Sequence, residues 1–409
     1  MTEHGIEQLS DAPGAAWLRD YAMLALRVNR RLTEGSGSTL LIYRGPDSWA
    51  VAAGREEPPP AARLVEDAER LLADVPFEGA RAAWLRAQVR ALRAVARGAA
   101  GAEAPLAAFA GECLGIEAGP VPESVFDEAH AQLDAALPRG PGTTAERLRA
   151  WQDTHRLPPE RIGLLPDLVR RAVAETRART ARIVPLPADE EVGCTVVPEA
   201  HFLGAGHYEG GGRSTIFVNG GLPWNLADLL YVVAHEGHPG HIAESLLKEH
   251  APDQEVRFLL SPPFVLSEGL GLCAQEIAFP GDEAQEWLTR TVLAEQGIRP
   301  DSSDFAAIHR ARTALWGTWA NAAFLAAEGR PQGEVRDCLT RWGLLTDEEV
   351  AAALKSVTSP GMNAYVLGYY YGWRLVDTWL ARAAPGPERE ARVRRLLTEP
   401  LLPADLADA

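Results

Sequence analysis

Through much of the first 185 residues, apolar positions recur every three or four places with Arg and Glu between them. That period marks helices that bury one face. It predicts helices over residues 60–72, 79–99, 122–137, 144–155 and 166–183. Turn signals separate them: Gly35-Ser-Gly-Ser, Pro58-Pro-Pro, Gly119-Pro and Pro138-Arg-Gly-Pro-Gly. None of these segments carries a chemical cluster and no internal repeat is visible, so a structural role is expected for this half.

Near residue 185 the period changes. Residues 191–197 read as a short strand, 201–212 as a glycine-rich turn region, and 214–219 as a second strand. Pro223-Trp-Asn225 can cap a helix that runs from Leu226 into a group of histidines. Helical spacing then returns over 267–277, 304–328 and 364–383. The expected fold is mainly α, with long helices and a small β-sheet beside the histidine-bearing helix. No linker is long enough to separate independent domains, so a helical half (1–185) and a second half (186–409) are expected to merge.

Composition narrows the function classes. A net charge of −16 over 409 residues repels phosphate backbones, so no nucleic-acid partner is expected. Cys113, Cys194, Cys273 and Cys338 are far apart, with no knuckle or redox spacing; a reducing compartment is expected, with the thiols as small core groups. The polar, acidic start lacks a basic region leading into an apolar stretch, and the apolar run at 314–327 is short for a bilayer. A cytoplasmic protein without a membrane partner is the expectation. Nothing in the sequence speaks to oligomeric state.

The chemistry concentrates in His235-Glu236-Gly-His238-Pro-Gly-His241, which holds three of the ten histidines. Imidazoles beside a carboxylate are the ligand set of a catalytic zinc, and the adjacent glutamate can take the proton of the water that such an ion activates. The spacing is unusual. Residues four apart on a helix differ by about 40° and share a face, but six apart diverge by about 120° and rise about 9 Å. His235 and His241 could meet only if Pro239-Gly240 breaks the helix. His235 with His238, or His238 with His241, would need no such break.

The segment His235-Glu-Gly-His-Pro-Gly-His241-Ile-Ala-Glu244 resembles the His-Glu-Ala-x-Pro-Gly-His-His-x-Gln motif of a bacterial family of unknown function placed among the gluzincin-type zinc peptidases. The resemblance implies His235 and His241 as ligands, Glu236 as general base, and His238 at a variable position facing substrate or supporting a ligand. Leu266-Ser-Glu268-Gly-Leu-Gly-Leu-Cys-Ala-Gln-Glu276 is similar to the family's Glu-Gly-Trp-Ala-Leu-Tyr helix, which implies Glu268 as third ligand. Pro360-Gly361, followed by Tyr365 and Gly368, resembles a Pro-Gly-x-x-x-x-Tyr-x-x-Gly stretch one residue longer, implying Tyr365 as an oxyanion donor with Tyr369, Tyr370 and Tyr371 as rivals. The match covers mainly residues 190–375. It departs at Ile242 and Glu244, at Gly271 where alanine is usual, and at Cys273 where tyrosine is frequent.

The resulting expectation is a gluzincin-like metallopeptidase with one Zn2+ per chain, acting on oligopeptides or peptide termini. Glu244 or Glu276 is expected to orient a ligand histidine. Asn219, Arg213 and His207 are placed near the substrate, with strand 214–219 as an exposed edge for an extended peptide. Two alternatives stand beside it: a zinc hydrolase of a non-peptide amide or ester, and a non-catalytic zinc scaffold in which His238 closes the coordination.

Overall fold

In the computed structural model of the protein, residues 14–33, 39–200 and 202–407 are described. The Gly35-Ser-Gly-Ser turn and the acidic start lie outside them. The first half is helical: α1 (Ala15–Thr33), α2 (Asp47–Arg55), α3 (Ala61–Ala73), α4 (Gly79–Ala99), α5 (Leu106–Leu114), α6 (Glu123–Ala136), α7 (Thr144–Thr154) and α8 (Leu165–Ile183). Strand β1 (Leu41–Tyr43) interrupts this series. Then come β2 (Glu191–Val197), β3 (Gly204–Gly210), β4 (Arg213–Asn219), α9 (Leu229–Glu236), α10 (His241–Leu247), β5 (Val256–Phe258) and α11 (Pro262–Ala278). The remainder is α12 (Glu283–Leu288), α13 (Phe305–Ala314), α14 (Trp316–Ala327), α15 (Gln332–Gly343), α16 (Asp347–Thr358), α17 (Met362–Ala381), α18 (Pro387–Thr398) and α19 (Pro403–Ala407). Helix accounts for 65% and strand for 7%, which makes the fold mainly α with a small sheet.

The two halves share one core. β1 pairs antiparallel with β5 across more than two hundred residues of chain, and α4, α5 and α8 pack directly on α11 or α9. Buried side chains from Trp17 in α1 to Leu406 in α19 form a continuous cluster. α11 is buried on almost every side, including Glu268 at 2% exposure. Such a helix forms the centre of a large all-α layer and holds its polar groups away from water.

Three expectations change. The region 201–212 is mostly strand: Gly204–Gly210 forms β3, antiparallel to β4, and only its end, where Gly210, Gly211 and Gly212 take positive φ, is the expected turn. Gly204 and Gly206, inside the strand, are instead required by close packing, as Gly206 shows below. The sheet order is β2-β4-β3, so the predicted edge strand 214–219 is central and β3 is an edge. Helix 304–328 breaks at Leu315 into α13 and α14. The apolar run at 314–327 is a buried helix, and among the described residues no helix is long and apolar enough to cross a membrane.

Candidate metal centre

α9 is anchored before it reaches the histidines. Asn225 caps the turn ahead of it by accepting from the Ala227 N–H at 2.9 Å. Asp228 at its start accepts from His309 (2.9 Å) and Arg312 (2.7 Å). Burial works to raise the Asp228 carboxyl, yet Arg312 and His309 hold it far below its ordinary range. Five of the eight α9 residues are buried.

The helix ends at Glu236, where Gly237 takes φ −103° and ψ −103°. The His238–Pro239 peptide is cis. Gly240 donates to the Ala234 carbonyl at 3.0 Å, and a Cβ on it would lie 1.8 Å from the His235 carbonyl oxygen. Only glycine lets the chain fold back so closely on the helix it has left. α10 then starts afresh at His241. The His235 and His241 rings stand edge to face, centroids 4.7 Å apart and planes at 89°. The six-residue spacing that a straight helix forbids is met by breaking the helix.

Two carboxylates face this pair. His235, Glu236 and His241 each offer a ligand atom within 4.8 Å of the others. Glu268, from α11, approaches His235 Nε2 at 3.5 Å and His241 Nε2 at 3.8 Å. The carboxylates differ in what already holds them. Glu236 Oε2 accepts the Gly206 N–H of β3 at 2.8 Å, and a Cβ on Gly206 would lie 2.2 Å from the Glu236 carbonyl oxygen. Glu268 Oε1 accepts the Tyr365 hydroxyl at 2.5 Å, while its buried Oε2 has no hydrogen-bond partner among the described residues. Helices α11 and α17 come close enough for that Tyr365 contact through Gly269 and Gly372, where a Cβ on either would lie 2.2 Å from a backbone oxygen of the other helix.

A hydrogen-bonded chain fixes His241. The Ser267 hydroxyl gives its one proton to Glu244, which can only accept, so Ser267 Oγ accepts from His241 Nδ1 at 3.1 Å. Nε2 is left with its lone pair toward Glu268 and His235. Glu244 is itself held by Lys248 (2.8 Å) and Arg257 (2.9 Å); burial works to raise its carboxyl and those two cations hold it well down. Burial opposes charging His235, but Glu236 and Glu268 carry its pKa above the ordinary value. Burial likewise works to raise Glu268, and the imidazoles with Tyr365 hold it below the usual carboxylate range. Burial and the Glu268 charge push the Tyr365 phenol well up, so it stays a proton donor.

The donor set fits a divalent cation. Two imidazoles, one of them with a fixed free lone pair, converge with two carboxylates, and one buried carboxylate oxygen is uncommitted. No Arg or Lys among the described residues pairs with Glu236 or Glu268.

Other sequence candidates lie elsewhere. His238 is fully buried and bonds through Nε2 to Glu190 at 2.8 Å, so it pins the loop to the start of the sheet, facing neither the pair nor substrate. Glu276 is exposed and paired with Arg310 and Arg389. Asn219 is buried, its side chain spent on Ala200 and Gly221 of the neighbouring turn. His207 and Arg213 are exposed on the sheet face opposite the one that Gly206 and Ile216 turn to the helices. Glu244 acts on His241 only through Ser267. Sequence reasoning missed Ser267 and Gly206. Ser267 adjoins the predicted ligand Glu268, but nothing in the sequence marks a single serine or glycine as adjoining this centre.

No family model matches the chain, and no curated protein matches it. Two solved structures share the fold. One, a candidate lipoprotein from Colwellia psychrerythraea, has TM-score 0.55 and 15% identity over 84% of this chain and 65% of that one. The other, a candidate lipoprotein of unknown function from Shewanella oneidensis, has TM-score 0.52 and 12% identity over 88% of this chain and 74% of that one. The chain thus spans somewhat less than two thirds of the Colwellia protein, and at these identities the likeness concerns the fold alone.

Proposed function

We propose that the protein is a zinc-dependent metallopeptidase of the gluzincin type. One observation carries the reading: a broken helix brings His235 and His241 face to edge against the partly buried Glu236 and the buried Glu268, two acids with no cationic side chain among the described residues to balance them. His235, His241 and Glu268 would hold the ion, because Glu268 Oε2 is uncommitted while Glu236 Oε2 is tied to Gly206. Bound zinc supplies a Lewis acid that polarises water and a substrate carbonyl. Glu236 is then the group that takes the water's proton at Oε1 and passes it to the leaving amine, with its other oxygen fixed. Tyr365, resting on Glu268 as a protonated phenol, can turn its hydroxyl to the developing oxyanion.

Peptide is favoured over a small amide by β3. The Asn219 N–H meets the Leu203 carbonyl, so alternation along the ladder leaves the Gly204 and Gly206 backbone on the outer edge, where Gly206 already meets Glu236. An extended peptide laid on that edge would present its carbonyls beside the general base. The scaffold alternative loses its fourth ligand because His238 is engaged by Glu190. The four unpaired cysteines suit a reducing compartment, whereas the lipoprotein descriptions of the two structural neighbours point to an envelope location. Fractionation of the native host decides between them.

The test is elemental analysis of purified protein, then peptide-library hydrolysis with Glu236→Gln as control. About one zinc per chain with activity lost only in the variant is expected. No zinc retained after reloading, or wild-type turnover in the variant, would sink the reading.

A further inference from the structure

Beyond His241, reached through Ser267 and Glu244, lies a small cavity of about 10 Å3 with Pro400 at its exposed side, room for one atom-sized guest. Its polar lining includes Trp84, Gln88, Glu244, Lys248, Gln254 and Arg257, while the Ser261 hydroxyl there is spent on the Phe258 carbonyl. Trp84, Gln88 and Gln254 are 3%, 1% and 5% exposed. Trp84 Nε1, Gln88 Oε1 and Gln254 Nε2 have no hydrogen-bond partner among the described residues. Three such atoms around one small space carry a desolvation cost that a guest able to bond to them would remove.

Charge and hydrogen count say what kind of guest. Lys248 and Arg257 are both buried and both lean on the single carboxylate of Glu244. The neighbouring acids Asp253 and Glu399 are already held by Arg81 and Arg395. One buried positive charge is therefore left over, which is costly without a counter-ion. Uncommitted donors outnumber uncommitted acceptors: the Glu244 carboxylate already accepts from Lys248, Arg257 and Ser267, which leaves the indole N–H, the Gln254 amide and the remaining ammonium hydrogens with the Gln88 oxygen, and that amide can turn its NH2 inward instead. A water would need acceptors for its own two hydrogens and cancel no charge. A monatomic anion accepts from every side and cancels the excess.

We propose that this cavity binds a single halide-sized monovalent anion, held by Trp84, Gln254 and Lys248 behind the Glu244–Ser267–His241 chain. Glu244 is shared between the cavity and that chain, so occupancy bears on how firmly His241 is held. The site stands on its own lining and does not depend on the peptidase reading.

The experiment uses the protein as purified. Crystals are soaked in bromide and diffraction is recorded at the bromine edge, while Tm is followed in chloride, bromide and sulfate at fixed ionic strength. An anomalous peak inside the cavity is expected, with Tm about 2 °C higher at tenfold excess of halide over its Kd than in sulfate, which is too large to enter. Trp84→Phe removes one donor and should weaken the halide effect about tenfold. Gln254→Glu puts a carboxylate in the anion's place and should abolish it, which keeps the test decisive if Trp84→Phe folds poorly. Solvent density without bromine signal, and equal Tm in all three salts, would overturn the proposal in favour of a buried water. Surface peaks alone, with a Tm rise that neither variant changes, would overturn it as an adventitious ion only. A preparation that hydrolyses no peptide leaves all of these readouts intact, so the two readings fail separately.

Discussion

His309, buried, and the His235–His241 pair, partly buried, both sit beside carboxylates, and their surroundings balance in different ways. Around His309, the negative Asp228 is met by Arg312 and by the imidazole, and Gln275 contacts the other ring nitrogen. His238 repeats the pattern, with Glu190 shared between it and Arg177. Around the pair, two acids meet imidazoles, the Tyr365 hydroxyl and the Gly206 N–H but no cationic side chain, and one buried carboxylate oxygen meets no hydrogen-bond donor among the described residues. A protein completes a structural histidine with its own cations. Around His235 and His241 it withholds them, and that is the observation on which the proposed cation site rests.

The widest separation should come from chemistry. Glu236→Gln keeps the size of the side chain and its bond to Gly206, but cannot take a proton. Hydrolysis should fall about 10²- to 10⁴-fold with metal content unchanged. Equal loss of metal would make Glu236 a ligand and would reverse the roles given to the two acids.

Asp228→Ala should show the opposite profile. It leaves the buried His309 and the partly exposed Arg312 without their carboxylate, costing about 3 kcal/mol of stability, while zinc stoichiometry in the folded protein stays the same. The pH dependence follows from the same group. Its folded pKa is depressed, so its stabilisation is full above the unfolded value near 3.9 and is lost as pH falls toward the folded one. Acid unfolding of wild type below about pH 5 should therefore be steeper than that of Asp228→Asn. Metal loss on Asp228→Ala at neutral pH, with the fold intact by circular dichroism, would break the contrast between the two clusters.

The contrast was partly legible in the sequence. The ligand candidates His235, His241 and Glu268 come from short motifs, because a break that needs Pro-Gly and a helix led by Ser-Glu-Gly leave local traces. The helical half was legible from its period. What supports the site was not. Gly206 reads as a turn glycine until the sheet presses it on the Glu236 backbone, and Ser267 reads as one polar residue in an apolar helix. His238 reads as a substrate-facing or ligand-supporting group until the fold brings Glu190 to it from 48 residues away. Periodicity reports which face is buried; it does not report which distant side chain meets that face.

A smaller effect sharpens the comparison on the ligand side. Ser267→Ala removes the acceptor for His241 Nδ1 and should weaken zinc binding about 10- to 100-fold, read by competition with a chromogenic chelator. Unchanged affinity would mean that His241 is held by packing alone, as His309 would be without its partners.

The smallest expected effect is Gly271→Ala, and it tests the other imidazole. A Cβ on Gly271 would lie 2.7–2.9 Å from Cε1, Nδ1 and Nε2 of His235. Since alanine is the better helix former by about 1 kcal/mol, the overpacking should nearly cancel against that gain and leave Tm close to wild type. The ring must still shift to clear the methyl, and zinc affinity should drop about tenfold. Affinity and stability falling together would place the strain in α11 rather than in the imidazole. A Tm near wild type with weakened zinc binding would show that glycine sits there to give His235 its place.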